Sequence, residues 1–415
     1  MAATDKGVWD VQEVRDKQLL SEWEYSAPED PGALYTWGYN NWGQDGRNTY
    51  GDSPTPGKNR SSPTQVGTDA TWKIMMAGNH SHAIKSDGTL WSWGQGQDGY
   101  LGLNSQANRS SPTQVGSGDT WSAISPSAGA MAAVKTNGTL WVWGSNSQGQ
   151  LGQNNTTQYS SPKQIPGTGW NTAQGATFNT TGSGQGGFIH VKTDGSMWVW
   201  GQNQNAQLPL NGQDGSGNPA PYGMSSPVRV GTDTTWGWTE GKLGGSGNNS
   251  QFNIKTDGSL WAWGRNDYGT LGNNNKTNYS SPIQIGTDTT WKYISFGGGN
   301  EDYSQHSAII KTDGTLWTWG RNYRGELGHN NLTDYSSPKQ VGTDTTWDKV
   351  TSGSYNKFAT KTDGTFWAWG NNYKGGLGQN NGSTNARRSS PTQLPGTDWK
   401  LAVVSGNNSA AIKFV

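Results

Sequence analysis

Few side chains in this 415-residue sequence have the types and spacing that catalysis or metal binding requires. His80 and His82 are separated by one residue, which suits a metal bound from a strand, but no carboxylate cluster near them completes a site. The segment QDGSGN at 213–218 is the nearest approach to a calcium loop, and it lacks EF-hand spacing. The sequence has no Gly-x-Ser-x-Gly, Walker or zinc-protease motif and no cysteine. It therefore predicts no metal, no cofactor and no enzyme.

One catalytic arrangement stays open at this point. Two carboxylates from distant parts of the chain could meet across a central channel and hydrolyse a glycosidic bond. The acidic residues that recur do so in Asp-Gly turns, which disfavours such a pair. A carbohydrate-acting protein is therefore kept as the second alternative to a binding function.

Composition limits both the fold and the kinds of partner. Glycine numbers 62 and tryptophan 24, whereas phenylalanine numbers 7 and hydrophobic residues make up 30%. A helical or Rossmann-type protein needs more aliphatic residues. Lys plus Arg and Asp plus Glu are each 30, so the basic excess typical of nucleic-acid binders is absent. No apolar stretch approaches the roughly 18 residues of a membrane-spanning helix.

Three short units recur and divide the chain into seven repeats. Leu-Trp-x-Trp-Gly alternates and is aromatic, which predicts a strand; its copies end at Gly38, Gly94, Gly144, Gly201, Gly264, Gly320 and Gly370. Ser-Ser-Pro followed by a tryptophan also occurs seven times, with prolines at Pro63, Pro112, Pro162, Pro227, Pro282, Pro338 and Pro391. Lys-Thr/Ser-Asp/Asn-Gly predicts a tight turn, because glycine accepts positive φ without steric cost.

Four antiparallel strands per repeat predict an all-β fold, a seven-bladed β-propeller of four-stranded blades. The first copy contains half a blade, and the last copy ends with the missing half, residues 411–415. We therefore expect the final strand to pair with residues 33–38, which closes the ring and removes an exposed sheet edge. The tryptophans of the Trp-Gly corners should pack between blades. The expected domains are an N-terminal segment, 1–30, and a propeller, 31–415.

The segment that begins at the Trp-Gly corner reads G-x-N-x-x-G-x-L-G in most copies, for example at 144–152 and 320–328. This pattern resembles the repeat of the regulator of chromosome condensation family, over about residues 31–415. Copies that depart from it include GYNNWGQDG at 38–46 and GQNQNAQLP at 201–209. The resemblance implies the propeller fold. It does not give the function, because family members include a nuclear guanine-nucleotide exchange factor and a bacterial β-lactamase inhibitor.

The first 30 residues disfavour the exchange factor and resemble another group of proteins. An exchange factor of this family needs a basic tail, whereas residues 1–30 carry eight acidic and three basic side chains. GVWDVQEVRDKQLLSEWEY, at 7–25, looks like the leader of fibre and other structural proteins of tailed bacteriophages. It predicts an amphipathic helix that docks into a larger assembly; packing on its own propeller and disorder are the alternatives. The predicted docking residues are Val8, Trp9, Val11, Val14, Leu19, Leu20 and Trp23.

Two connections in each repeat vary in length, and a four-stranded meander places them on one face. The step from the Trp-Gly corner to Ser-Ser-Pro ranges from 16 to 24 residues. Variable loops on a rigid frame often bind partners, and aromatic, amide and glycine-rich loops suit proteins or sugars; the alternative is that these insertions are merely tolerated. The predicted partner-binding residues are Trp42, Tyr50, Phe178, Tyr222, Trp238, Glu240, Lys242, Glu301, Asp302, Tyr303 and His306.

These features together favour a non-enzymatic virion structural protein of a tailed bacteriophage, located in the extracellular particle. Residues 1–30 would contact other virion proteins. The propeller, as a fibre or capsid-surface appendage, would bind a host surface protein or glycan, without nucleic acid and without membrane insertion. Many copies on one particle would strengthen weak contacts, so an oligomer is expected. The main alternative is a secreted or surface protein-binding propeller similar to the bacterial β-lactamase inhibitor.

Overall fold

A computed structural model describes most of the chain beyond residue 30. The described residues are 31–38, 40–49, 60–117, 120–126, 129–171, 176–179, 186–203, 208–210, 223–237, 243–245, 250–296, 305–353, 355–372, 375–379, 387–405 and 408–413. The chain divides into one unit of residues 1–30 and another of residues 31–415. The first unit, with the predicted docking residues Val8 to Trp23, lies outside the described residues, so its role stays a prediction. In the described part of the chain, no helix is long and apolar enough to cross a membrane.

The described residues form 28 β-strands and one short 3-10 turn, Gln97–Gly99. The first two strands are β1 (Ala33–Gly38) and β2 (Arg60–Gln65). The next twelve are β3 (Trp72–Met76), β4 (His80–Lys85), β5 (Leu90–Gly94), β6 (Arg109–Gln114), β7 (Trp121–Pro126), β8 (Ala130–Lys135), β9 (Leu140–Gly144), β10 (Tyr159–Ile165), β11 (Ala176–Asn179), β12 (Gly186–Val191), β13 (Met197–Gln202) and β14 (Gly223–Arg229). The remaining fourteen are β15 (Leu243–Gly245), β16 (Ser250–Ile254), β17 (Leu260–Gly264), β18 (Tyr279–Gln284), β19 (Trp291–Phe296), β20 (His306–Lys311), β21 (Leu316–Gly320), β22 (Tyr335–Gln340), β23 (Trp347–Ser352), β24 (Asn356–Lys361), β25 (Phe366–Asn371), β26 (Arg387–Leu394), β27 (Trp399–Ser405) and β28 (Asn408–Lys413).

These strands form seven four-stranded antiparallel sheets, the blades of a propeller. Blades 1 to 6 each use four consecutive strands, from β3–β6 to β23–β26. Blade 7 is shared by the two ends of the propeller, in the order β2-β1-β28-β27. Leu34 pairs with Ile412 and Thr36 with Ala410. The predicted all-β fold and its closure by N- and C-terminal strands are therefore confirmed.

The first strands of the blades make the inner ring, and the hydrophobic core lies between neighbouring blades. β3 contacts β7, β7 contacts β11, and so on around the circle to the contact of β27 with β3. Each core cluster draws on two adjacent blades; in one of them Trp143 of blade 2 packs with Ile84 and Leu90 of blade 1. Trp143 is completely buried. The corner tryptophans therefore pack between blades, as the repeats predict.

The recurring Asp-Gly turns join the second and third strands of a blade, at the face opposite the variable connections. In blade 1, Asp87 Oδ1 accepts hydrogen bonds from the Thr89 backbone N–H and hydroxyl, at 2.9 and 2.7 Å. Gly88 has φ +83°, and its N–H donates to the Lys85 carbonyl. The turn needs an acceptor followed by a residue that tolerates positive φ, which explains why this pair recurs.

Candidate interaction surface

The connection between the third and fourth strands of each blade begins with the nine-residue motif found in the sequence. We call these segments the clasp loops; they span residues 38–46, 94–102, 144–152, 201–209, 264–272, 320–328 and 370–378. Residues 39, 204–207 and 373–374 within them lie outside the described part of the chain. The clasp loops lie at the end of the third strand away from the Asp-Gly turn, on the face that carries the variable connections.

In six of the seven clasp loops a buried asparagine at the third position fixes the shape of the loop, whereas blade 1 has Gly96 there. Asn322 Oδ1 accepts the Leu327 N–H at 3.0 Å, and its Nδ2 donates to the Thr333 carbonyl at 3.1 Å. The copies at 38–46 and 201–209, which depart from the motif at other positions, keep the first of these bonds. Asn40 accepts the Asp45 N–H at 3.1 Å, and Asn203 accepts the Leu208 N–H at 3.0 Å. Because this side chain is buried and bonded within the loop, the loop is an ordered element.

The described clasp loops also contact the next blade around the ring. In six described pairs the corner tryptophan donates its indole N–H to a clasp-loop carbonyl of the preceding blade, at 2.6 to 3.1 Å. Close backbone approach explains a second glycine of the motif, because a Cβ on Gly269 would lie 2.6 Å from Ser336 Cα. Farther along the same connection, the Asn274 N–H donates to the Ser336 carbonyl at 2.8 Å. The variable connections therefore begin with an ordered segment that is bonded to the next blade, and the sequence did not predict this.

Two positions of the clasp loop, the fourth and the fifth, differ among blades, and in the described loops their side chains are exposed or half-buried; we call them the outward pair. Blade 2 has Ser147 and Gln148 there, whereas blade 5 has Tyr323 and Arg324. Tyr323 is 52% exposed, one of three large hydrophobic side chains among the described residues that are exposed. The Arg324 guanidinium lies 5.1 Å from the Tyr323 ring centre. The backbone of the clasp loop is thus held in the same way in blades 2 and 5, whereas the side chains at its outward positions differ.

Arginine and tyrosine side chains from blades 4 and 5 stack into one group, which we call the Arg–Tyr ladder: Tyr268, Arg321, Tyr323 and Arg324. The Arg321 guanidinium lies 4.3 Å from the Tyr268 ring centre and 5.7 Å from that of Tyr323. Beside the ladder, Arg265 forms an ion pair with Asp267. Sequence analysis missed this group, although the unusual residues at two adjacent clasp loops were a visible signal.

Three of the predicted partner-binding residues are described, and they lie in different places. Trp42 lies in the clasp loop of blade 7 and is 39% exposed. Phe178 and His306 were expected on loops; the structure corrects this, because their backbones lie in β11 and β20, where Phe178 pairs with Gly187 and His306 with Gly320. The other eight lie outside the described residues: Tyr50, Tyr222, Trp238, Glu240, Lys242, Glu301, Asp302 and Tyr303. A binding role for the predicted set stays a prediction.

His306 belongs to a buried polar cluster at the contact of blades 5 and 6. Its Nδ1 lies 2.8 Å from Lys357 Nζ, which also donates to Ser352 Oγ at 2.9 Å. Burial lowers the pKa of Lys357 to about 7, against the opposite effect of Glu326. Burial raises the pKa of Glu326 to about 7, and the backbone N–H of Arg324 donates to its Oε2. At the positions equivalent to Glu326 and Lys357 the other blades carry neutral residues, such as Gln150 and Phe188.

The histidine pair singled out in the sequence lies in β4. The ring centres of His80 and His82 are 5.5 Å apart. His82 is fully buried, its Nε2 lies 3.2 Å from the Tyr100 carbonyl, and burial holds its pKa well below the usual value. Within the described ranges, no group of three or more His, Cys, Asp or Glu side chains has an arrangement that could hold a metal ion. The segment 213–218 lies outside these ranges.

Comparison with protein families identifies the repeat. The model of the regulator of chromosome condensation (RCC1) repeat matches residues 87–134, 137–175, 257–300 and 313–359. The resemblance drawn from the clasp-loop motif is therefore confirmed at the level of the repeat and the propeller fold. The phage-like leader at 7–25 lies outside the matched segments.

Curated relatives share short parts of the chain. Protein RCC2 homolog of Danio rerio is 50% identical over 36 residues, which is 9% of this chain and 7% of that protein. The probable E3 ubiquitin-protein ligase HERC3 of Homo sapiens is 27% identical over 153 residues, 37% of this chain and 13% of HERC3. The chain therefore covers only a small fraction of the length of these two relatives.

Solved structures match over almost the whole chain. Prp20p of Saccharomyces cerevisiae, whose structure is described with its binding to Gsp1p and histones, matches with a TM-score of 0.75 and 19% identity, over 93% of this chain and 92% of Prp20p. Human WBSCR16 matches with a TM-score of 0.72 and 16% identity, over 92% of this chain and 99% of that one. At these identities the likeness shows the fold alone.

The comparisons overturn the phage interpretation. The relatives and structural neighbours are RCC1-type proteins of zebrafish, human and yeast. The predictions of a virion structural protein, of a fibre or capsid appendage that attaches to a host, of virion partners and of a virion location are therefore wrong. The leader motif misled because it is short and its apolar pattern fits many amphipathic segments.

Proposed function

We propose that this chain is a non-enzymatic protein-binding propeller that recognises its partner through the clasp-loop face. The observation that carries the proposal is that the clasp loops are held in place by the fold, whereas the exposed side chains on them differ between blades. Six of the seven clasp loops are fixed by a buried asparagine, and six described loops accept a hydrogen bond from the next blade's tryptophan, while the outward pair changes from Ser147–Gln148 to Tyr323–Arg324. A pre-ordered loop loses little conformational entropy on binding, and Tyr, Trp and Arg are the residues most enriched at binding hot spots.

The recurring aspartates support binding without turnover. Asp257, Asp313 and Asp363 each accept two hydrogen bonds from the Ser or Thr two residues later. Hydrogen bonds from the side-chain hydroxyls, first of all, hold the pKa of these carboxyls below the usual value. A general acid in glycoside hydrolysis needs a raised pKa. These turns therefore suit a structural role and disfavour the carbohydrate-acting alternative.

Structural neighbours agree with protein binding as a class of function. Prp20p is described with its binding to Gsp1p and histones, and yeast RCC1 (Prp20) is described bound to Kap60. We carry over protein binding and none of these partners, because the shared identity is 18 to 19%. A protein-binding propeller, the main alternative from the sequence, thereby becomes the leading hypothesis.

The test is a search for a stoichiometric protein partner. The immobilised full chain is used to recover proteins from cells of the source organism, and each recovered protein is purified and titrated against the full chain by calorimetry. We expect saturable binding, with the partner's mass unchanged after prolonged incubation. Cleavage or modification of the partner, or no protein that binds saturably in purified form, would contradict the proposal.

A further inference from the structure

Blade 1 has a buried histidine at a position that the fold fills with apolar side chains elsewhere. His82 is completely buried in β4. At the equivalent position, three residues before the recurring lysine, the other six blades have Ala132, Ile189, Phe252, Ala308, Phe358 and Ala410. Packing at this position is therefore satisfied without a polar group. Burying a polar ring costs free energy unless its nitrogens find partners, so the partners of His82 decide what it does.

The contacts of His82 determine which of its ring nitrogens carries the proton. Nε2 lies 3.2 Å from the Tyr100 carbonyl oxygen, and a carbonyl oxygen only accepts, so Nε2 is the protonated nitrogen of the neutral ring. Nδ1 is then the nitrogen with an electron pair to donate, and it is buried without a hydrogen bond to any described residue. Histidines that bind metals have this arrangement, in which one ring N–H donates to a carbonyl and the other nitrogen is a ligand.

His80 provides a second nitrogen of the same kind. It lies two residues before His82 in the strand, so both rings project from one face of the blade, and their centres are 5.5 Å apart. Its Nδ1 is also buried, with no hydrogen bond within the described ranges, while the residue as a whole is half-buried and so within reach of solvent. Burial lowers the pKa of His80 to about 4 and holds the pKa of His82 well below its usual value. Both rings are therefore neutral at physiological pH, as metal binding requires.

The side chains around the histidine pair include methionines. Met76 lies directly opposite His82 in the neighbouring strand β3, and Met76 and Met131 both belong to the hydrophobic cluster between blades 1 and 2. In the part of the chain that the structure describes, no group of three or more His, Cys, Asp or Glu side chains suits a metal ion. A buried divalent cation would therefore lack compensating negative charge. Thioether and imidazole donors instead suit Cu(I), which is soft and singly charged.

We propose that His80 and His82 bind one Cu(I) ion through their Nδ1 atoms, with the Met76 thioether as a third donor. The inference goes beyond the proposed function and does not depend on it. The bound ion would stabilise the fold beside the contact of blades 1 and 2, because a ligand that binds only the folded state raises its stability. The sequence predicted no metal here, because the spacing of two histidines shows neither the tautomer of His82 nor its methionine neighbour.

The test uses Cu(I), kept reduced by ascorbate without oxygen, and measures its transfer from a coloured Cu(I) chelator to the full chain. His82→Ala copies the alanine of blades 2, 5 and 7, and His80→Asn copies the asparagine of blades 6 and 7. His190→Phe is the matched control, because His190 is another buried histidine whose Nε2 has no hydrogen bond to a described residue. Near-ultraviolet circular dichroism checks that each variant is folded.

We expect one Cu(I) ion per chain, a higher thermal midpoint in its presence, and at least about tenfold weaker binding to His82→Ala and to His80→Asn. The control should bind Cu(I) as tightly as the unmodified chain, and Met76→Leu should weaken binding without changing the stoichiometry. No transfer of Cu(I) from the chelator, binding that both histidine variants retain in full, or tighter binding of Zn²⁺ than of Cu(I) at the same histidines would overturn the inference.

Discussion

The two tryptophans of each Leu-Trp-x-Trp unit have different roles. In blade 1, Trp93 is buried and donates to a clasp-loop carbonyl at 3.0 Å. Trp91 is half-buried, and Lys85 Nζ lies 4.1 Å from its ring centre and 4.8 Å from that of Trp72. Lys85 also pairs with Asp69 at 2.6 Å. Because they are two residues apart, both tryptophans lie on the same face of the strand, and both pack against Trp72. The sequence pattern does not show that one of them is buried and bonded to the neighbouring blade while the other contacts a lysine.

Buried histidines should make the propeller sensitive to acid. The His190 ring is buried, stacks on Trp200 at a centroid distance of 5.6 Å, and has its pKa lowered to about 4 by burial. Its folded-state pKa is lower than the ordinary 6.5 or so of the unfolded chain. Stability is therefore fully present above about pH 6.5 and is lost as the pH falls toward 4, because the unfolded state binds the proton first.

We expect His190→Phe, which keeps an aromatic ring without the proton site, to flatten this pH dependence. The gain relative to the unmodified chain should reach about 3 kcal/mol between pH 6.5 and 4. The free energy of unfolding in urea, followed by tryptophan fluorescence at several pH values, measures it. The difference in unfolding free energy between the two proteins at pH 7.5 measures any packing cost of the substitution separately from the pH effect. A slope unchanged by the substitution would show that His190 is protonated in the folded chain.

Glu326 and Lys357 should stabilise the contact of blades 5 and 6 as a pair. Both are fully buried and each favours the charged form of the other. Glu326→Gln alone, or Lys357→Phe alone, should cost about 3 kcal/mol, because one buried charge loses its partner. The double variant copies the native combination of Gln150 and Phe188, and it should cost less than the two single costs added together. Additive costs in urea unfolding would show that the two groups are not coupled.

The structural role of the clasp loop could not be predicted from the sequence. The variation in length correctly predicted that the variable connections lie on one face, but it gave no sign that part of each connection has a structural role. In the structure, the described residues of the clasp loops hold neighbouring blades together, and the differences in length lie beyond the ninth residue of the connection. The recurring Asn and Gly were visible in the sequence. Their partners, such as Ser336 and Thr333, come from the next blade or from later in the loop, and no local pattern identifies them.

The tryptophan that holds a clasp loop can be tested within one strand. Trp200 Nε1 donates to the Gln150 carbonyl at 3.0 Å, whereas Trp198 Nε1 donates to the Ser196 hydroxyl at 2.9 Å in the half-buried turn. Trp200→Phe loses a buried hydrogen bond and leaves a small void, so we expect it to destabilise the fold by about 3 kcal/mol. Trp198→Phe is the control and should cost about 1 kcal/mol. Equal losses in urea unfolding would show that the clasp bond adds nothing to the stability of the ring.

Closure of the ring of blades depends on a blade built from both ends of the propeller. The complementary half-repeats were enough to predict the pairing of β1 with β28, because a propeller cannot leave half a blade unpaired without exposing edges. The identity of the partner-binding residues could not be predicted in the same way. Which clasp-loop side chains come together depends on the arrangement of blades, as Tyr268 and Arg321 show, since they are 53 positions apart in the sequence (321 minus 268).

Removing the closing strand should abolish cooperative folding. Deletion of residues 408–415 leaves β1 and β27 without their shared partner β28. We expect this truncation to lose its single sharp thermal transition, measured by circular dichroism. Deletion of residues 1–30, a separate unit, is the control and should keep the transition within a few degrees. A sharp transition in the 408–415 truncation would show that the ring is stable without closure.

Recognition of a protein by the clasp-loop face can be measured by hydrogen–deuterium exchange of the full chain with and without a saturating, purified partner. We expect slower exchange on binding in the connections that follow β17 and β21, at residues 265–278 and 321–334, where the Arg–Tyr ladder lies. Exchange at the Asp-Gly turns of the opposite face, such as 86–89 and 312–315, should not change. Protection confined to those turns, with the clasp loops unchanged, would contradict recognition through the clasp-loop face.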